Sequence, residues 1–131
     1  MKKFDESAAI NMFSGYVSKG EDILKNPSKV EETIKKALEK AKESRGPLDE
    51  IWHDLQLMFG IAGDWVKGNY REVPVGSIAA IIGALLYFIS PVDLIPDVIP
   101  GVGLIDDVFV LSIAIRQVRS DLRKYEQWKN A

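Results

Sequence analysis

Between Val73 and Ile115 the chain has no Lys or Arg, yet it carries Asp93, Asp97, Asp106 and Asp107. These four carboxylates sit in its most apolar part, from Tyr87 through Ser90-Pro91-Val92-Asp93-Leu94-Ile95-Pro96-Asp97 to Asp106-Asp107-Val108-Phe109. A buried carboxylate without a counter-charge costs several kcal/mol, so each needs a basic partner, a helix end, water or a metal ion. This requirement limits the fold more than any other local pattern, and it makes the segment the leading candidate for a functional site.

The charges elsewhere are arranged differently. Residues 1–72 carry 12 basic and 13 acidic side chains, and residues 116–131 carry five bases and two acids. The two ends read as solvated helices, and the middle reads as something covered by protein or lipid. No basic, aromatic-interleaved surface for nucleic acid is present. Cysteine is absent, which excludes disulfides, thiolate nucleophiles and Cys-ligated metals. No apolar run follows Met1-Lys2-Lys3, so no secretory signal is expected.

Helical periodicity runs through the chain, and no alternating strand pattern of useful length occurs. Phe4, Ala8, Phe13, Tyr16 and Val17 predict a first helix over 4–18, ending at Gly20. Ser28 and Glu31 form a capping box for a second helix with a narrow stripe of Val30, Ile34, Leu38 and Ala41, stopped by Arg45-Gly46-Pro47. A third helix is predicted from about Pro47 to Lys67. Leu48, Ile51, Trp52, Leu55, Met58, Phe59, Ala62 and Val66 share one face, Leu57 and Ile61 lie on the other, and Gly68-Asn69 ends the helix. The fourth, about 77–89, is apolar all round; Gly76, Ala80 and Ala84 at i+4 spacing mark where another backbone could approach. Pro91, Pro96, Pro100, Gly101 and Gly103 then forbid a long helix. Leu104, Val108, Leu111, Ile115, Val118, Leu122 and Tyr125 predict a last helix over about 104–128.

These elements predict an all-α protein, a compact bundle of about five helices. Helices 77–89 and 104–128 form a central apolar hairpin joined by the Pro/Gly/Asp-rich loop. Residues 1–45 read as N-terminal amphipathic helices and 46–131 as the core, in one folded unit. Val73 to Val92 carries no charge, but Pro74 and Gly76 leave a helix of only ~20 Å at 1.5 Å per residue, against a hydrocarbon core ~30 Å thick. A core helix is therefore favoured over a membrane span, and a shallow or re-entrant membrane hairpin is the alternative.

The four aspartates are not equivalent. Ser90, Pro91 and Asp93 resemble a helix start, with Ser90 as N-cap, so Asp93 divides between capping and a site role. Asp97, after Pro96, stabilises a turn. Asp106 complements the helix dipole in the first turn of the last helix. Asp107 falls on the core side of that helix, and local structure does not account for it. Several carboxylates without bases are also a recipe for a hard cation. Asp93, Asp97 and Asp107 are the nominated ligands for Mg, Mn or Ca, although their spacing matches no known metal motif. No cofactor is expected otherwise.

No catalytic residue is nominated. His53, the sole histidine, falls on a polar helix face and reads as solvent-facing, so the usual triads have no parts. Gly101-Val102-Gly103 is too short for a dinucleotide or P-loop pattern. Arg116, Arg119 and Arg123 read as one solvated face, with anionic lipid or an acidic partner as the functional alternative.

The run from Tyr87 to Asp107 resembles the signature of the YkvA-like family, a bacterial domain of unknown function. Ser90, Pro91, Asp93, Leu94, Ile95, Pro96, Asp97, Pro100, Gly103, Asp106 and Asp107 stand at matching positions, and Trp65 to Pro74 is similar more weakly. The resemblance covers about residues 50–125. It implies a helical, often membrane-associated protein with no established enzymatic activity. The expectation is thus a non-enzymatic interaction or membrane-peripheral domain, with loop residues Ser90, Pro91, Asp93, Pro96, Asp97, Asp106 and Asp107 as a structural keystone or binding surface. A metal-dependent activity and an integral hairpin are the alternatives. A protein partner, a homo-oligomer and a membrane surface are the partners considered; nucleic acid is not. The expected location is the cytoplasm, peripheral to or inserted in the inner membrane.

Overall fold

The apolar fourth helix is the axis on which the chain is built. In the computed structural model, residues 6–90 and 105–131 are described, apart from the side chains of Ile105 and Asp106. They form α1 (Glu6–Ile23), α2 (Pro27–Glu43), a 3-10 turn (Gly46–Ile51), α3 (Trp52–Lys67), α4 (Val75–Ile89), α5 (Ile105–Gln117) and α6 (Arg119–Lys129). The fold is all-α, with no strand among the described residues. α4 packs against α1, α2 and α5, and more lightly against α3, while α6 packs on α3. Ile78, Ile81, Ile82, Leu85 and Phe88 of α4 are fully buried. Each such side chain contributes about 1.5–3 kcal/mol on leaving water, so α4 holds the bundle together.

α1 crosses α4 antiparallel at very short range. A Cβ on Gly83 would stand 2.8 Å from the Cα of Val17, and one on Gly20 would stand 2.7 Å from the carbonyl oxygen of Ala79. The two glycines let the backbones touch. Gly20 was expected to end the first helix; α1 instead continues through it to Ile23, because the packing uses the missing side chain. Of the predicted close-approach stripe of Gly76, Ala80 and Ala84, Gly76 takes no part in this contact. A Cβ on Gly76 would meet nothing within 4 Å.

The start of α2 also differs from expectation. Its N-cap is Asn26, whose Oδ1 accepts from the Lys29 amide at 3.4 Å, and Pro27 occupies the first turn. Ser28 donates to the same Asn26 oxygen at 2.9 Å, so it supports the cap and is not the cap itself. Proline at the first helical position sacrifices an amide that would have lacked a partner anyway. α3 ends as expected at Gly68, with φ 81° and hydrogen bonds from Gly68 and Asn69 back to Trp65 and Asp64.

The expected helix over 104–128 is present as two. Val118 leaves helical geometry at φ −107° and ψ 14°, although its amide still bonds Ala114 and its carbonyl still accepts from Leu122. No Pro or Gly marks the break. α5 follows α4, whereas α6 is tied to α3 through Arg123–Asp54, His53–Glu126 and Tyr125–Asp64. One straight helix would not serve both partners.

Candidate functional site

Asp107 lies in the first turns of α5 with 2% of its surface exposed. A charge that merely complements a helix dipole remains in water; this one does not. Its Oδ2 is 3.4 Å from the Nζ of Lys40, which α2 sends across the end of α4. The same ammonium donates to the carbonyl of Phe88 at 2.5 Å and stands 4.8 Å from the centre of the Phe88 ring. Carbonyls in the last turn of a helix have no intrahelical donor, so Lys40 satisfies a helix end and a carboxylate together. Its side chain is 32% exposed, a long stem lying on apolar surface with its charge turned inward.

A second tie closes the same end. Ser90 caps α4 in extended backbone, and its Oγ is 2.6 Å from the hydroxyl of Tyr16 on α1. Tyr16 also meets Tyr87 edge-on, with ring centres 5.3 Å apart, and carries Lys19 over its face at 4.4 Å. The boundaries of the Pro/Asp segment are therefore clasped from outside it: Ser90 by α1, Phe88 and Asp107 by α2.

Of the nominated loop and ligand residues, the structure places Ser90 and Asp107 at this clasp. Pro91, Asp93, Pro96, Asp97 and the side chain of Asp106 lie outside the described residues, as does the turn that Ser90 was expected to start. Among the described residues, no group of three acidic or histidine side chains could hold a metal ion.

Lys40 and Tyr16 were not anticipated. Lys40 is one of five lysines on α2, and nothing in the spacing distinguishes the one that turns inward. A second cluster also escaped notice, at the α3–α6 contact. The Tyr125 hydroxyl donates to Asp64 Oδ2 at 2.5 Å, and Asn69 and Lys129 approach the same carboxylate. The Tyr125 hydrogen bond holds the Asp64 carboxyl below its usual range, against partial burial. Burial first, and Asp64 second, push the Tyr125 hydroxyl well up. His53 is exposed as expected but meets Glu126 at 2.6 Å. Arg123 turns inward to Asp54 and Glu126, so the expected face of Arg116, Arg119 and Arg123 is not a single solvated stripe.

The segment bounded by this clasp lies within a part of the chain shared with other proteins. Residues 77–113, from the first turn of α4 into α5, match the family described as "Protein of unknown function (DUF1232)". The chain is 36% identical over 75 residues to the uncharacterized membrane protein YkvA of Bacillus subtilis (strain 168), covering 57% of this chain and 71% of that protein. The chain belongs to the DUF1232 family. A second match, to the E3 ubiquitin-protein ligase RNF170 of Xenopus laevis, is 36% identical over 64 residues and spans 48% of this chain but 23% of the ligase. No solved structure matches the chain. Helices α1 and α2, which cover α4 and clasp the Pro/Asp segment, lie outside the DUF1232 match.

Proposed function

We propose that this DUF1232 protein is a non-enzymatic, membrane-peripheral interaction domain in which the Pro/Asp segment is a structural keystone. The observation that carries the reading is the Lys40 bridge between Phe88 and Asp107. It gives the carboxylate that local structure leaves unexplained a partner within the protein and a role in closing the fold. The described ionisable clusters support the same view, since Asp64 with Tyr125 and Arg123 with Asp54 join α3 to α6.

The membrane part rests on two considerations. The Bacillus subtilis relative is described as a membrane protein. No described helix is long and apolar enough to cross a bilayer; α4, at 15 residues, extends ~22 Å against a core ~30 Å thick. Attachment from one side reconciles these points while leaving α4 inside the bundle. Fractionation of cells making the full chain tests it. The protein is expected in the membrane fraction and released by high salt or alkaline carbonate. Retention until detergent is added would favour the re-entrant hairpin, and absence from membranes would overturn the peripheral reading.

A further inference from the structure

The exposed large apolar side chains among the described residues are Ile10, Val75 at 64% exposure and Trp128 at 43%. Val75 opens α4, and Trp128 lies in the last turn of α6. Tyr70, in the α3–α4 connection, packs its ring against Trp128 at 4.9 Å and against Tyr125 at 5.2 Å. Ser77, two residues beyond Val75, donates to Asp121 at 2.6 Å. Asp121 and Trp128 are seven residues apart and so lie on the same face of α6, about 10 Å from each other. The α3–α4 connection and the start of α4 thus flank the face of α6 that ends in Trp128.

Exposed charge around this surface is predominantly positive. The exposed ionisable residues of 65–77 and 118–131 are Lys67, Arg71, Arg119, Lys124 and Lys129, opposed by Glu72. Arg71 lies over the Trp65 ring at 4.5 Å. Asp64 and Asp121 are half-buried and bonded to Tyr125 and Ser77. An exposed Trp ring braced by buried tyrosines and bordered by Lys and Arg is the kind of group that settles at a membrane–water boundary, the ring among the headgroups and the cations against phosphate.

We propose that the surface formed by the α3–α4 connection and the Trp128 face of α6 seats on an anionic lipid bilayer. Trp128 and Val75 enter the headgroup region, and Lys67, Arg71 and Lys124 face lipid phosphates. This deepens the membrane-peripheral reading and depends on it.

Vesicle flotation of the full chain tests it, with phosphatidylglycerol–phosphatidylcholine vesicles and phosphatidylcholine alone as the neutral arm. Wild type is expected on the anionic vesicles and not on the neutral ones, with binding weakened by salt. Lys67→Glu/Lys124→Glu is expected to lower affinity by at least about tenfold. Val75→Ser and Trp128→Ser are each expected to lower it severalfold. Trp128→Ser also removes a ring from the Tyr70–Tyr125 stack. Should it unfold, as read by circular dichroism, Val75→Ser and the charge reversals at exposed positions decide the question. Wild-type binding that none of these variants weakens would overturn this surface and leave the peripheral reading intact. Equal binding to neutral vesicles would overturn the anionic assignment. No binding to either vesicle would overturn both the surface and the peripheral reading.

Discussion

Lys40 and Asp107 form an ion pair across 67 positions of sequence, at 3.4 Å, with the lysine also bound to the carbonyl of Phe88. Asp107→Ala is expected to destabilise the protein more than Asp106→Ala, by about 1–3 kcal/mol, because it strands the groups that Asp107 satisfies. Lys40→Met should cost a comparable amount by leaving the carboxylate in its buried position. The double variant Lys40→Met/Asp107→Leu should cost less than the sum, since an apolar pair needs no counter-charge. Urea unfolding of these four variants, together with Asp107→Leu alone, measures this. Equal, small losses for Asp106 and Asp107 would show that both are surface charges.

The α1–α4 crossing predicts a contrast among glycines. Gly83→Ala would press a methyl onto the backbone of Val17 and Tyr16 at 2.8–2.9 Å, forcing α1 away and costing about 1–3 kcal/mol. Gly15→Ala meets nothing within 4 Å in the middle of α1 and should stabilise by about 0.5–1 kcal/mol. Thermal melts of the two variants should move in opposite directions.

The Asp64–Tyr125 bond makes stability depend on pH at both extremes. A carboxyl more acidic in the folded than in the unfolded chain stabilises the fold above its unfolded value of 3.8, and that contribution is lost as pH falls through the folded value. A hydroxyl pushed up by folding contributes fully below its unfolded value of 10.0, and the contribution is lost as pH rises beyond it. Tyr125→Phe should therefore cost about 1–2 kcal/mol at neutral pH. Its difference from wild type should narrow below about pH 4 and above about pH 10. Unfolding free energies measured across this range check both flanks.

Divalent cations test the keystone reading against a metal site at Asp93, Asp97 and Asp107. The melting temperature is expected to be the same with Mg²⁺, Mn²⁺, Ca²⁺ or chelator. A cation present at a hundred times its dissociation constant would add about 2.7 kcal/mol, a shift that a melt resolves easily. Stabilisation of that size by any of the three would establish a metal site.

Much of this architecture was legible in the sequence because the signals are local. The all-round apolarity of α4, the two apolar sides of α3 and the Gly68 stop each follow from residues within one or two turns. The position of Asp107 was legible for the same reason, since helical phase alone places it on the core side of α5. Its partner was not, because Lys40 shares its helix with four other lysines and only the crossing of α2 over the end of α4 selects it. The break at Val118 was equally hidden, as no helix breaker stands there and the cause lies in what α5 and α6 each pack against.

By itself, the sequence determined that this chain is helical, that its middle must be covered and that its aspartates need partners. Those are consequences of periodicity, of hydrophobic transfer and of the cost of burying charge. Only the tertiary structure decided what supplies the cover and the counter-charge. α1 and α2, from outside the shared DUF1232 segment, enclose α4, with two glycines setting the distance and one lysine closing the end. The physical reason is that both contacts join residues dozens of positions apart, and their geometry exists only once the helices have packed.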